Sequence, residues 1–321
     1  MKAVVQNAYG SPDLLEFEEI EKPELTNDGV LVRIRAASIN PADLYSLTGL
    51  PYVARAQAGL RNPKSNRLGI DFAGVVEAVG KDITEFRPGD EVFGARNGAL
   101  AEYVCVRDAI VLKPANLTFE QAAAVPVAAI TALQGLRDKG QIRSWQDVLI
   151  NGASGGVGTF AVQIAKAFGA QVTGVCSTRN VDLVRSLGAD HVIDYTKEEF
   201  THSGRRYDLI LDVAGSKSWS EYKRVLKPNT TLVIVGAPKG NSFIGPLGHI
   251  LKVRLSSLTS RQKAVFFIAK TNRTDMMVLR EFLESGKVVP VVDRCYEMSE
   301  IAKAFWYLGE GHAQGKIVIT I

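Results

Sequence analysis

The sequence of 321 residues is poor in the residue types that bind metals or form disulfide bonds. It has three cysteines, Cys105, Cys176 and Cys295, which lie far apart and form no CxxC pair. Its four histidines never fall at the HExxH spacing or a similar ligand spacing. Disulfide bonds and a cysteine-rich zinc lobe are therefore not expected.

The sequence also lacks a charged tail and a membrane span. The net charge is +4 with acidic and basic residues interspersed, so there is no basic stripe of the kind that nucleic-acid binders carry. The longest apolar run, AAAVPVAAITAL at 122–133, is too short to cross a bilayer, and the first residues lack a signal-peptide core. We therefore expect a cytoplasmic protein with no nucleic-acid or membrane partner.

The order of patterns along the chain predicts two domains, as the length does. The first 115 residues contain short alternating strands and turns, such as GVLVRIRAASI at 29–39, which indicate a mainly antiparallel β domain. From residue 147, apolar strands alternate with amphipathic helices, a pattern typical of a parallel sheet covered on both faces. The later chain predicts a strand at 263–270, a helix around 274–285, and short strands at 288–292 and 316–321.

The predicted fold is therefore α/β: a doubly wound parallel Rossmann sheet inserted into the antiparallel β domain. We assign residues 126–270 to the dinucleotide-binding domain and residues 1–125 and 271–321 to the catalytic domain.

A glycine-rich turn, NGASGGVG at 151–158, follows the strand DVLIN and precedes an amphipathic helix. Its spacing, Ala153-x-Gly155-x-x-Gly158, is typical of a turn that lets a pyrophosphate approach the backbone at a helix N-terminus. Its position within consecutive β/α units favours dinucleotide binding over a mere tight turn. The predicted cofactor contacts in this turn are Ser154, Gly155, Gly156, Val157 and Gly158.

The next strand ends in VCSTRN, without the acid that would bind the ribose 2′-hydroxyl of NAD. Ser177, Thr178, Arg179 and Asn180 instead offer hydroxyl, guanidinium and amide donors, which suit a 2′-phosphate. NADPH is therefore the predicted cofactor. The alternative is that these residues only cap the following helix while Arg179 is solvated.

Several segments together resemble the medium-chain dehydrogenase/reductase superfamily along almost the whole chain. They are INPADLYSLTG, LGIDFAGVVEAVG, FRPGDEVFG, LAEYV, AAAVPVAAITALQGL and GASGGVG. In the zinc alcohol dehydrogenases of this superfamily, a cysteine ligand stands at the position of Asn40, and a Gly-His-Glu sequence places a histidine and a glutamate at the positions of Ile70 and Asp71. Isoleucine cannot bind zinc and an asparagine amide is a poor substitute for a thiolate, so we expect no catalytic metal.

The resemblance to the zinc-independent quinone oxidoreductase branch implies a GroES-like first domain, a homodimer, and hydride transfer to quinones or enones. It implies catalytic roles for Asn40 and Tyr45, which would bind and protonate the product anion. It also implies that Thr131, Gly236 and Ala237 lie near the nicotinamide and that Tyr195 lies near the adenosine phosphate.

Other interpretations stay open from the sequence. Asn40 is also a common turn residue before proline, and Tyr45 is also a common pocket wall. A non-catalytic NADPH-binding sensor or structural protein would keep the same fold. An NADP-dependent alcohol dehydrogenase or carbonyl reductase is a further alternative.

Overall fold

A computed structural model describes residues 1–215, 217–236 and 242–321. These residues divide into two compact units. The first unit comprises Met1–Ile130, Thr271–Ser285 and Pro290–Ile321, and the second comprises Thr131–Lys270 and Gly286–Val289.

The described residues contain the following strands, in chain order: β1 (Lys2–Gln6), β2 (Leu15–Glu19), β3 (Val30–Ile39), β4 (Asp71–Val79), β5 (Glu91–Ala95), β6 (Tyr103–Val106), β7 (Ile110–Leu112), β8 (Asp147–Asn151), β9 (Gln171–Cys176), β10 (His191–Asp194), β11 (Tyr207–Asp212), β12 (Leu226–Ile234), β13 (Lys263–Phe266), β14 (Val292–Glu297) and β15 (Lys316–Thr320). They contain the following α-helices: α1 (Pro41–Thr48), α2 (Arg55–Ala58), α3 (Phe119–Ala123), α4 (Pro126–Gln134), α5 (Gly156–Ala167), α6 (Val181–Ser186), α7 (Trp219–Val225), α8 (Pro246–Ser257), α9 (Arg273–Glu284) and α10 (Ile301–Glu310). None of these helices combines the length and the apolar character that a bilayer crossing requires.

The main sheet of the first unit has the order β14-β15-β3-β4-β5-β7, with β6 also paired to β3. Only β14 and β15 run parallel, and the other pairs are antiparallel, as the alternating sequence predicts. Apolar side chains of β3, β4 and β5, among them Val32, Phe72 and Val92, form one buried cluster. The GroES-like β domain is confirmed.

Three elements of the first unit differ from the sequence prediction. The strand expected at 288–292 lies instead at Val292–Glu297, where it is an edge strand with mostly polar, partly exposed residues that carry no apolar signal. Helices α1 and α10 were not predicted. The signal for α10 is the spacing of its buried residues Ile301, Ala304 and Phe305.

The second unit contains one parallel sheet with the order β10-β9-β8-β11-β12-β13, and the Rossmann prediction is confirmed. The interior strands β8, β9 and β11 consist mostly of buried residues because helices cover the sheet. The strand order reverses between β8 and β11. In open α/β sheets, ligands bind at the carboxyl ends of the strands beside such a reversal.

Residues 286–289 belong to the second unit, although the sequence assigns them to the first domain with the rest of 271–321. The reason is the buried Gln163 side chain on α5. Its Nε2 donates to the Val289 carbonyl at 3.0 Å, and its Oε1 accepts from the Val289 amide at 2.8 Å.

Candidate active site and cofactor site

The glycine-rich turn connects β8 to α5 at the reversal of strand order. A Cβ atom on Gly158 would lie 2.0 Å from the Gly152 carbonyl oxygen, so only glycine allows the helix to approach the strand this closely. A Cβ atom on Gly155 would meet its nearest neighbour at 3.7 Å and has free room. Helix α5 begins directly after Gly155, so the positive end of its dipole lies at this open position.

Three predicted cofactor residues meet at the carboxyl ends of β8 and β9. The buried Asn180 amide Nδ2 donates to Ser154 Oγ at 2.8 Å and to Ser177 Oγ at 3.2 Å. Because each hydroxyl accepts from Asn180, each keeps its own proton to donate to another acceptor. Asn180 Oδ1 is buried and has no hydrogen-bond partner in the described part of the chain. These groups fit a ligand with phosphate oxygens and sugar hydroxyls, as a nicotinamide dinucleotide has.

Thr178 has a different environment from Ser177. Its hydroxyl donates to Asp194 Oδ2 at 2.6 Å, so its proton is already used within the protein. Asp194 stands at the end of β10, and its Oδ1 accepts from the Thr196 amide and hydroxyl at 3.0 and 2.7 Å. The Thr178 hydroxyl bond, together with those from Thr196, lowers the pKa of Asp194 to about 2, so the carboxylate is charged at neutral pH. This acid was not predicted from the sequence because it comes from the neighbouring strand.

The remaining predicted cofactor residues have separate positions. Arg179 is exposed on the short 3₁₀ turn Thr178–Asn180, and Tyr195, which follows β10, is 61% exposed. Gly236 follows β12, and its amide donates to the Asp212 carbonyl at 3.2 Å. Thr131 is half-buried in α4. Ala237 lies outside the described residues.

A buried carboxylate at the reversal of strand order was not predicted. Asp212, at the end of β11, accepts from Asn151 Nδ2 and from the Gly215 amide, each at 2.8 Å, and from the Tyr222 hydroxyl. Burial raises the pKa of Asp212. The network fixes the ends of β8 and β11 side by side, next to the glycine-rich turn. The signal available in the sequence was an acidic residue at the end of an apolar strand, as in YDLILD.

In the first unit, Asn40 stands between β3 and α1, where Pro41 takes the first helical position. The side chain of Asn40 is buried, and both its amide nitrogen and its amide oxygen make hydrogen bonds. Its Nδ2 donates to Asp71 Oδ2 at 2.9 Å, and its Oδ1 accepts from Lys316 Nζ at 2.6 Å. Lys316 was not among the predicted residues, because a single lysine before an apolar strand carries no recognisable signal.

Asp71 begins β4 and is completely buried. Its Oδ2 accepts from Ser38 Oγ at 3.0 Å as well as from Asn40, and Lys316 Nζ lies 3.4 Å away. Its Oδ1 accepts from the Val127 amide, in the first turn of α4, at 3.0 Å. The carboxylate therefore has a donor at each oxygen and one cationic partner.

A second buried carboxylate, Asp43, lies on α1 beside this cluster. Its oxygens accept from the backbone amides of Asn40 at 2.8 Å and Gly69 at 3.1 Å. Burial raises the pKa of Asp43 to about 6; the negative charge of Asp71 adds to this shift and the positive charge of Lys316 opposes it. Asp43, Asp71, Asn40 and Lys316 together are the polar cluster of the first unit.

The donor set of the polar cluster does not fit a zinc ion. Zinc sites in proteins are built from thiolates, imidazoles and carboxylates, whereas an ammonium group stands here against the carboxylate and the amide oxygen. The histidine position of the zinc enzymes is Ile70. Within the described ranges, no group of three or more His, Cys, Asp or Glu side chains is arranged to hold a metal.

Tyr45, the other predicted catalytic residue, lies on α1 and is 39% exposed. Burial of the rest of the ring raises the pKa of its hydroxyl, which is therefore protonated at neutral pH. Arg55, the first residue of α2, is held in place by its contacts. Arg55 stacks against Tyr9 and Tyr52 and donates to the Gly49 carbonyl at 2.8 Å.

The glycine turn generates a matched test. We expect Gly158→Ala to abolish NADPH and NADH binding and to lower the thermal midpoint, because its Cβ would lie 2.0 Å from a carbonyl oxygen. Gly155→Ala has room for its Cβ, so it should keep the thermal midpoint and weaken only cofactor binding. Calorimetry and thermal unfolding measure the two effects. Equal stability of both variants would contradict this account of the turn.

Comparison with known proteins agrees with this architecture. Residues 26–116 match the sequence model of the alcohol dehydrogenase GroES-like domain, and residues 187–319 match that of the zinc-binding dehydrogenase family. The chain is 35% identical to 2-methylene-furan-3-one reductase of Solanum lycopersicum over 99% of its own length and 79% of that protein. It is 34% identical, with the same coverage, to the chloroplastic NADPH-dependent alkenal/one oxidoreductase of Arabidopsis thaliana.

Among solved structures, the quinone oxidoreductase from Coxiella burnetii superimposes with a TM-score of 0.87 at 30% identity, covering 100% of this chain and 99% of that one. The likeness thus extends over both units and includes sequence as well as fold. The chain belongs to the medium-chain dehydrogenase/reductase superfamily, in its quinone oxidoreductase-like branch.

Proposed function

We propose that this protein is an oxidoreductase that transfers a hydride from NADPH to a quinone or an α,β-unsaturated carbonyl compound, without a catalytic zinc ion. The observation that carries the proposal is the polar cluster, whose ammonium group and isoleucine neighbour do not suit a metal. An enzyme without a metal has no Lewis acid to polarise a simple ketone, so it needs a substrate that already accepts hydride well. The names of the relatives, which include an alkenal/one oxidoreductase and a quinone oxidoreductase, support this substrate class.

The bound nicotinamide would supply the hydride to an electron-poor carbon of the substrate. The chain's own residues then have two tasks, which are to stabilise the resulting oxygen anion and to deliver a proton to the product. The Tyr45 hydroxyl, protonated at neutral pH, is the proposed donor of that hydrogen bond and proton. Asn40 is the second proposed donor; Asp71 and Lys316 fix the orientation of its amide.

The activity is tested by a steady-state screen of quinones, enones, simple ketones and alcohols with NADPH and with NADH. We expect NADPH oxidation with quinones or enones and little reaction with simple ketones, and less than stoichiometric zinc in the same sample. Turnover of simple alcohols or ketones would favour an alcohol dehydrogenase or carbonyl reductase. Binding of NADPH without turnover of any substrate would favour the sensor or structural alternative.

The preference for NADPH over NADH rests on Ser177 and Arg179 at the end of β9. One charge-assisted hydrogen bond to the 2′-phosphate contributes about 1.5–3 kcal/mol, which corresponds to a preference of roughly tenfold or more. Thr178 supplies no donor because its proton goes to Asp194. The charged Asp194 opposes a phosphate near Thr178, so Arg179 must outweigh it.

We therefore expect Arg179→Ala to lower the NADPH to NADH ratio of kcat/KM about tenfold. Arg185→Ala is the matched control, since Arg185 is also exposed and lies six residues further along the chain, on α6. Asp194→Asn, which removes the opposing charge, should raise the same ratio. An unchanged ratio in Arg179→Ala would overturn the assignment of this strand end to the 2′-phosphate.

The role of Tyr45 has its own test. Tyr45→Phe should lower kcat by up to about tenfold, the equivalent of one hydrogen bond, with little change in KM for NADPH. The loss is modest because a water molecule can replace the hydroxyl as proton donor. The measurement is kcat between pH 6 and pH 9, and an unchanged rate across that range would remove Tyr45 from the mechanism.

A homodimer is the proposed assembly. Leu247, Leu251 and Leu255 recur every four residues on α8 and are each about half exposed, and β13 is an edge strand of the same unit. An apolar helix face beside an open sheet edge is a surface that a second copy can cover. Analytical ultracentrifugation of the purified protein measures the assembly. The cytoplasmic location stays a prediction from the sequence.

A further inference from the structure

Lys316 is a buried lysine in the first unit, with a residue exposure of 4%. It begins β15, and its ammonium group faces the polar cluster. The three acceptors within reach are the Ile39 carbonyl at 3.2 Å, Asn40 Oδ1 at 2.6 Å and Asp71 Oδ2 at 3.4 Å. An ammonium group has three N–H donors, so its hydrogen-bonding capacity is used completely. Lysine is seldom this buried unless its charge is paired.

The contacts of Lys316 determine how the Asn40 amide is oriented. Lysine can only donate hydrogen bonds, and an ionised carboxylate can only accept them. The amide oxygen must therefore face Lys316 and the amide nitrogen must face Asp71, which is the arrangement observed. If the amide were reversed, its N–H groups would face the Lys316 ammonium and its oxygen would face the Asp71 carboxylate. Donor would then meet donor at one contact, and acceptor would meet acceptor at the other. One N–H of the amide then remains for a substrate oxygen.

The cluster also balances charge within the protein interior. Asp71 is completely buried, and Lys316 is its only cationic partner within 4.0 Å among the described residues. A buried charge without a partner is strongly destabilising. In the zinc enzymes that this chain resembles, the positions of Asn40, Ile70 and Asp71 carry the cysteine ligand and the histidine and glutamate of the Gly-His-Glu sequence. Here a side-chain cation contacts two of those three positions.

We propose that the Lys316 ammonium is the resident cation of this site, in the role that a metal has in the zinc-dependent relatives. It neutralises Asp71 and, as a positioning residue, holds the Asn40 amide ready to donate to the substrate oxygen. The charge-balancing part stands on the contacts alone, whereas the effect on turnover rests on the proposed function.

The simpler alternative is that Lys316 only anchors β15 to β3. Variants that keep or remove its charge separate the two. Lys316→Met keeps the length of the side chain and removes the charge, Lys316→Arg keeps the charge, and Asp71→Asn removes the partner. Lys303→Met is the matched control, because Lys303 belongs to the same unit and is 73% exposed.

The first experiment measures stability and needs no turnover. Urea unfolding midpoints are compared for Lys316→Met, Asp71→Asn and the double variant, in a double-mutant cycle. We expect each single variant to have a lower unfolding midpoint than the wild type. The decrease in the double variant should be clearly smaller than the sum of the two single decreases. If Lys316→Met does not fold, the double variant should still recover folded protein. Additive losses, or no recovery, would overturn the charge-balancing role.

The second experiment uses pH, with Asp43 as the reporter. The charged groups that face Asp43 are Asp71 and Lys316, and the amides of Asn40 and Gly69 donate to it. Its pKa of about 6 in the folded protein is above the ordinary value of 3.8. Its contribution to stability is therefore complete below pH 3.8 and is lost as pH rises to about 6.

Removal of the Lys316 charge should raise the pKa of Asp43 further. As pH rises, the stability of Lys316→Met should therefore continue to fall up to a higher pH than the stability of the wild type does. In Lys316→Arg and Lys303→Met, stability should fall over the same pH range as in the wild type. An identical pH range in Lys316→Met would contradict the presence of the Lys316 charge at this cluster.

The third experiment measures steady-state turnover. We expect Lys316→Met to lower kcat at least tenfold with less than a twofold change in KM for NADPH, and Lys316→Arg to recover part of kcat. Unchanged kcat in a folded Lys316→Met variant would overturn the positioning role. Absence of turnover in the wild type would instead contradict the proposed function and leave the first two experiments able to decide the charge-balancing role.

Discussion

The first unit is organised around the hydrogen bonds and the ion pair of the buried Asp71 carboxylate. The carboxylate receives hydrogen bonds from Ser38 near the end of β3, from Asn40 just after that strand and from Val127 in the first turn of α4, and it pairs with Lys316 of β15. A completely buried negative charge is tolerated only when donors and a counter-ion surround it. Four separate segments must therefore meet at one carboxylate, and this requirement aligns the central strands with each other.

In the proposed mechanism, the same cluster distinguishes this chain from the metal-dependent members of its superfamily. The cationic charge is part of the protein and does not depend on metal supply. An ammonium group has no vacant orbital with which to act as a Lewis acid, and the three N–H groups of Lys316 already donate to the protein. Under the proposed function, the chemistry is limited to substrates that accept a hydride without metal activation, which agrees with the names of the relatives.

The second unit depends on close approach of backbone atoms at the end of β8. The contact of Gly158 with the Gly152 carbonyl brings α5 against the strand, and the open face above Gly155 lies at the helix N-terminus. Around it, the Asn180 amide orients two serine hydroxyls as donors. The Asp212 network holds the adjacent strand ends. The proposed cofactor site combines fixed backbone geometry with oriented hydroxyl groups.

The sequence by itself determined the fold class, the succession of strands and helices along the chain, and the glycine turn. These features follow from local periodicity and from residues with special backbone behaviour. It also indicated the absence of zinc ligands at Asn40 and Ile70. It missed α10, although the spacing of Ile301, Ala304 and Phe305 was present, and it placed β14 too early because an edge strand has a weak apolar pattern.

Only the tertiary structure decided which distant charged residues meet. Lys316 lies 245 residues from Asp71, and Asp194 meets Thr178 from a neighbouring strand. Pairing across strands depends on register and packing, which a local pattern does not encode. The strand end VCSTRN illustrates both levels. Its sequence offered four donors, but in the structure Asn180 donates to Ser177, whose hydroxyl stays available as a donor, while Thr178 donates to an acid.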